Sequence, residues 1–385
     1  MDHSDSKWLK LYTVGNVLYT LAWGLYFTSS RIYVKEFLGG TYTDITLLTS
    51  LEFIPALFST LWGYLGDVFG RRKMILIGFL SVPAFSLIGF TGLPWVFVLA
   101  FIASLSSTIA WPSIVSAVVS DIEYAGSKKY SIYAMGGSIG WGLGSLLMGF
   151  LYALGGIGLI STVIGLSIGA SFIIFYILYP KVHATFERKE LKRNVFSILL
   201  GSKVFLAFLV AVAISYFGLE FSYNILSIKL YNELGRNEIL YGIFFGGITA
   251  FLGALFRPLA GKIVDNVGEV RSFMLTLICY TSLLYGLALA QGWIMALLWI
   301  IPVYPLYDTS AVTVSSKSLP PEFRATAFGS YGTAISIAGS LVVLAGPLAD
   351  TLGVNKATIF SSALQIVALF IIIIAYLEFE RKKYF

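Results

Sequence analysis

Runs of about twenty apolar, uncharged residues recur from one end of the chain to the other, and that length lets an α-helix cross the hydrocarbon core of a bilayer. Inside such a slab each segment must satisfy its own backbone amides and carbonyls, so helices are the natural elements. Only 12% of the 385 residues are charged, against about 25% in soluble domains. The mean hydropathy is +0.84. No stretch has the composition of a soluble domain, and the chain reads as an all-α membrane protein. MDHSDSKWLK, at the start, has no small-residue cleavage site, so the first apolar run is expected to be a retained helix.

The same composition excludes several function classes. The net charge of +6 is spread over short loops rather than gathered into a nucleic-acid surface. His3 and His183 fall outside the apolar runs and Cys279 has no second cysteine, so no metal site, cofactor or internal disulfide is expected. No nucleophile, base and orienter set stands out, which argues against an enzyme, and no GxxxxGK[ST] loop is present for ATP.

Twelve helices are predicted, over 10–34, 43–66, 74–91, 95–120, 130–154, 158–179, 204–231, 238–264, 272–291, 293–315, 325–349 and 355–377. Their connections alternate in charge. One set carries Arg71, Arg72 and Lys73, then Lys128 and Lys129, Lys262 and Arg271, Lys317 and Arg324, and Arg381 to Lys383; the other includes GFTGLPW, ALGGIG and AQGW, without a cation. The positive-inside rule places the basic set and both termini in the cytoplasm and the protein, multi-pass, in the cytoplasmic membrane. The longest connection, KVHATFERKELKRN, divides the chain into an N-terminal bundle (1–180), a cytoplasmic linker (181–203) and a C-terminal bundle (204–385).

The two halves repeat. A shift of 198 residues lays ALFSTLWGYLGDVFGRRK, from Ala56, over ALFRPLAGKIVDNVGEVR, from Ala254. Gly63 then meets Gly261, Asp67 meets Asp265, Gly70 meets Gly268 and Arg31 meets Lys229; a shift of 197 brings Gly149 over Gly346. Parallel six-helix repeats describe one class of secondary transporter.

At these residues the chain resembles the major facilitator superfamily. The loop between helices 2 and 3, with Gly63, Asp67, Gly70, Arg71, Arg72 and Lys73, is similar to that family's signature. A degenerate copy follows helix 8, with Gly261, Asp265, Gly268 and Arg271, and SLPPEFRATAFGSYG is similar to the start of helix 11 in many members. The resemblance implies two pseudo-symmetric six-helix bundles, a conformational latch at the signature loop, and alternating access about a central site. It also implies that helices 3, 6, 9 and 12 form an outer scaffold. Asp121 and Glu123 are candidate partners for Arg71 and Arg72 in the latch, or ordinary interfacial charges. Antiporters of the family often carry a Gly-Pro step in helix 5, where this chain has Gly149-Phe150; Gly346-Pro347 appears in helix 11.

Intramembrane charge is costly and marks a pathway or an internal pair. Here it comprises Arg31, Glu52, Glu220, Lys229, Arg257 and Asp308, none of them on helices 3, 6, 9 or 12. Arg31 and Lys229 coincide in the repeat and are expected to share an anchoring or snorkelling role. Glu52 aligns with Ala250 and Glu220 with Ala22, so the scaffold does not demand either, and both join Asp308 as proton-coupling candidates; each could instead sit in a fixed ion pair. Arg257 and Asp308 share a depth and are expected to form a buried pair. Asn16, Trp23, Tyr26, Arg31, Trp111, Tyr223, Asn224, Arg257, Tyr304 and Tyr307 are the candidate substrate contacts, any single aromatic fitting packing or the interfacial belt better than binding.

These readings converge on secondary active transport of a small organic solute, with a small molecule and protons as partners, and on a monomer in the lipid bilayer. Carboxylates and aromatics point to proton-coupled export of cationic or amphipathic compounds. Proton symport of an organic anion or sugar through the arginines is the alternative, and an uncoupled lipid-handling or receptor-like protein is the third.

Overall fold

A computed structural model describes residues 3–119, 128–179, 203–318 and 324–383. Among the described residues twelve membrane-spanning helical segments can be traced, and the chain has the fold expected of two six-helix bundles. α1 is His3–Ile32, extended to Phe37 by a π turn; α2 covers 42–69; α3 covers 71–88; α4 is Leu93–Val119. A single run, Lys128–Leu178, contains α5 (128–154) and α6 (157–178), parted by non-helical backbone at Gly155 and Gly156. α7 is Lys203–Glu233, α8 covers 238–267, α9 is Glu269–Leu289, α10 covers 292–318, α11 covers 324–352 and α12 is Val354–Lys383.

Prolines set the interruptions. α3 breaks at Phe79–Leu80, because Pro83 has no N–H and its ring crowds the carbonyl of Phe79. α10 stops at Trp299 and restarts at Tyr304, with Pro302 and Pro305 excluding helix between them. Pro112 and Pro258 lie inside continuous helices, so they do not divide α4 or α8.

Lipid gives little hydrophobic drive for helices to pair, so close approach and polar contacts must hold them. Gly136, Gly140 and Gly144 turn one flat face of α5 onto α1, where a Cβ would strike Thr13, Val17 and Leu21. In the second bundle Gln365, on α12, is satisfied by α7: its Oε1 accepts from Ser215 Oγ at 2.6 Å and its Nε2 donates to Ser215 O at 3.0 Å. The repeat is visible in the backbone. Gly70 and Gly268 end α2 and α8 with φ of 100° and 90°, a region that disfavours side chains.

Candidate functional site: a cavity beneath an outer seal

Among the described residues, every hydrogen bond and ion pair between α1–α6 and α7–α12 lies at the end of the bundle away from the basic loops, called the outer end. Asp350, on α11, accepts from the amides of Tyr42 (2.8 Å) and Thr43 (3.0 Å) and from the Thr43 hydroxyl (2.6 Å), so it supplies partners that the first turn of α2 lacks. Ser50 Oγ donates to Gly339 O and accepts from the Val343 amide at 2.9 Å. Glu36 pairs with Arg236 at 3.3 Å.

Two helix crossings repeat this closure. Gly149 on α5 faces the start of α8, where a Cβ would sit 2.5 Å from Ile239 Cα; Gly346 on α11 faces the start of α2, where a Cβ would sit 2.6 Å from Thr43 Cα. The glycines that align in the repeat therefore make equivalent contacts across the interface. Only the second copy carries the carboxylate cap, since Ala153 aligns with Asp350.

Beneath these crossings Arg31 uses all five of its N–H donors. Its guanidinium clamps Glu52 at 2.9 and 2.6 Å and donates to Asn224 Oδ1 (3.0 Å), Ser30 Oγ (2.9 Å) and Thr49 Oγ1 (3.0 Å). The face of Phe27 lies 4.3 Å from the charge. Arg31 and Asn224 are both fully buried. Asn224 Nδ2 donates in turn to the carbonyl of Glu220, one turn down α7, at 2.7 Å.

Under the seal lies a cavity of about 600 Å³ walled by α1, α5, α7, α8, α9 and α10. Glu220, Tyr223, Arg257, Tyr304, Tyr307 and Asp308 line it, as their sequence positions suggested. Tyr223, Phe245 and Trp299 form one aromatic wall, with centroids 5.1 to 5.7 Å apart, and the Trp299 indole donates to Phe245 O at 3.0 Å. Glu220 sits among Tyr216, one turn earlier, and the more distant charges of Arg31 and Glu52. Among the described residues it has no ion-pair partner. Arg257 Nη2 faces Asp308 Oδ2 at 3.6 Å, too long for a hydrogen bond, and its guanidinium lies 5.8 Å from the Tyr304 ring.

Several expectations need correction. Asn16, Trp23, Tyr26, Arg31, Trp111 and Asn224 do not line the cavity. Asn16 is spent on Tyr133 O at 2.7 Å, Trp111 stacks on Tyr19 at 4.9 Å, and Trp23 packs between Tyr26 and Phe85, all inside the first bundle. Arg31 and Lys229 neither snorkel nor share a role: Lys229 donates to Leu287 O, Ala288 O and Asn355 Oδ1, closing the C-terminal end of α9, because no acid stands where Glu52 stands in the first half. Glu52 is the counter-ion of Arg31 rather than a cavity carboxylate. The Arg257–Asp308 pair exists but is not buried, with both side chains nearly half exposed. Helix α9 is not pure scaffold, since Tyr280 and Leu283 reach the cavity.

Tyr216, Phe245 and Trp299 were missed in the sequence. The i, i+4 spacing of Tyr216 and Glu220 on one helix face was the available signal; nothing local marks Phe245.

At the signature loop, the Asp67 side chain and all of Asp121 and Glu123 lie outside the described residues. Gly63 faces Pro112 of α4, and Gly66 packs on Ser113. Arg71 has a partner. Arg72 donates to Tyr176 O at 3.1 Å and lies over the Tyr176 ring at 4.5 Å. In the second copy Gly261 is in open space, Asp265 is exposed, and Arg271 lies over Tyr376 at 5.9 Å. Each half thus rests a loop arginine on a tyrosine of its last helix.

Two helical bundles, sealed together at one end over a cavity with carboxylates and aromatic walls, have the architecture of a polytopic solute transporter. The family model described as Major Facilitator Superfamily matches residues 12–343, and the chain belongs to that family of secondary transporters of small solutes. Solved structures agree on the fold. A bacterial homologue of the human lysosomal transporter Spinster, inward-facing and occupied, superposes with a TM-score of 0.80 at 14% identity, covering 98% of this chain and 97% of that one. A mutant form of the nucleoside transporter NupG gives 0.79 at 13% identity, over 96% and 100%. A POT family transporter in complex with a thioalcohol-conjugated peptide gives 0.71 at 14%, over 96% of each. The comparison with curated protein sequences finds no match.

Proposed function

We propose that this transporter exchanges protons for cationic or amphipathic organic solutes across the cytoplasmic membrane, exporting the solute. The observation that carries the reading is Glu220: a carboxylate on the wall of a cavity rich in aromatic rings, with no cation paired to it among the described residues. An ammonium group fits such a site through the carboxylate and the negative faces of the rings.

In this reading Glu220 binds either a proton or the solute's cationic end. The two compete, so solute affinity rises with pH as the carboxyl loses its proton. The groups that bias this exchange are Arg31, Glu52 and the hydroxyl of Tyr216. Occupancy is passed to the outer seal along one turn of α7, from the Glu220 carbonyl to Asn224 and so to Arg31. The moving bodies are residues 1–180 and 204–385, joined by the cytoplasmic linker 181–203, and in this reading a closed outer end corresponds to an inward-facing state. The protein works as a monomer, with Asp67, Asp121 and the loop cations latching the opposite, outward-facing state.

Anion symport is the less favoured reading, because Arg31 and Lys229 are committed to Glu52 and to the end of α9, leaving Arg257 as the cavity's cation. Proteoliposomes with an acid lumen and a pH-sensitive dye test the choice: external trimethyl(4-phenylbutyl)ammonium should drive proton efflux. Proton entry with an organic anion instead would reverse the assignment.

A further inference from the structure

Arg257 holds five donors and, among the described residues, none of them makes a hydrogen bond: the charged neighbour found there, Asp308, is 3.6 Å away, and the Arg257 side chain is 46% exposed on the cavity wall. A cavity built for cations alone has no use for a guanidinium in that state. Nor is Arg257 beside Glu220. Glu220 lies about 13 residues from the outer end of α7 at Glu233, and Arg257 about 19 residues from the outer end of α8 at Glu238, so at about 1.5 Å per residue Arg257 is roughly 9 Å nearer the inner end. The two outer ends are joined by a short turn, which gives both counts a common origin.

We infer that the solute is dipolar, with an ammonium group at Glu220 and a carboxylate or similar planar acid at Arg257. This rests on the preceding reading of Glu220 as the cation contact. A guanidinium with free, coplanar donors is suited to a bidentate carboxylate, and the Tyr304 ring at 5.8 Å backs the fork. By the same count Tyr216 and Tyr307 lie at depths between the two charges, which suits an apolar or aromatic middle, while Tyr223, Phe245 and Trp299 wall the cavity on the outer side of Glu220. Between the ends, Tyr307 Oη is buried on the cavity wall with no hydrogen-bond partner among the described residues, a polar atom for the bound solute to satisfy. Asp308 holds Arg257 by charge alone, leaving its donors for the incoming acid.

Three matched probes separate the ends: 4-phenylbutylamine, 4-butylbenzoate and 4-(4-aminobutyl)benzoate, which carries both charges. Their dissociation constants are read from quenching of intrinsic tryptophan fluorescence in the purified full-length protein. The dipolar probe should bind at least tenfold tighter than either single-charge probe. Arg257→Gln should bring it down to the level of the amine while leaving the amine unchanged, and Glu220→Gln should bring it down to the level of the acid. Arg257→Lys should keep part of the preference, and Asp308→Asn should raise it, which guards against a variant that merely folds poorly. A dipolar probe no tighter than the amine in the unsubstituted protein, or a preference unaltered by Arg257→Gln, would overturn the inference while the amine's dependence on Glu220 kept the cation reading intact. An amine indifferent to Glu220→Gln would bring down both.

Discussion

Asp350 caps α2 from the other side of the molecule, its carboxylate accepting the Tyr42 amide at 2.8 Å and the Thr43 amide at 3.0 Å. A helix cap normally comes from the residue just before the helix, and α2 has one in Thr41. The second cap is therefore not needed to form α2; it ties α2 to α11 and must be released for the outer end to open.

Removing that tie should favour opening. Caps of this kind contribute about 1 kcal/mol, so Asp350→Ala should raise the outward-open population about fivefold, and Asp350→Asn by less. Labelling from outside with an impermeant maleimide, at Ser138→Cys in a Cys279→Ser background, measures this. Equal labelling rates would show that the contact carries no closure energy.

The two crossing glycines should behave alike. Gly149→Leu would press on Ile239 and Gly346→Leu on Thr43, so both should hold the outer end open and slow exchange. Gly329, where an added Cβ would meet nothing within 4 Å among the described residues, is the control, and Gly329→Ala should be neutral. If the two leucine variants diverge in outside labelling, the crossings are not equivalent.

The Arg31–Glu52 pair should be structural. Losing one partner strands a buried charge, which costs about 3–5 kcal/mol, so Arg31→Met should unfold at markedly lower temperature in detergent. Arg31→Met with Glu52→Leu should recover much of that loss. Glu52→Gln should keep proton-driven accumulation in proportion to folded protein; its abolition in well-folded protein would return Glu52 to the coupling site.

The helices and their two-fold repeat were legible in the sequence because bilayer thickness and the positive-inside rule act locally. So was the shared depth of Arg257 and Asp308. The partner of Glu52 was not legible: comparing halves marked Glu52 as an addition without showing that it neutralises Arg31, on a neighbouring helix. Composition could not tell Trp23 and Tyr26, which pack within the first bundle, from Tyr223 and Trp299, which line the cavity. The Asp350 cap joins residues 307 positions apart and has no local pattern at all.

The central claim is that Glu220 exchanges a proton for the cationic end of the solute. Its most direct test is uptake of labelled trimethyl(4-phenylbutyl)ammonium into proteoliposomes with an acid lumen, comparing the unsubstituted protein with Glu220→Gln. The account predicts accumulation against the gradient by the former, and, for Glu220→Gln, none, with cation-for-cation exchange retained at saturating concentration. Equal pH-driven accumulation by both would contradict it.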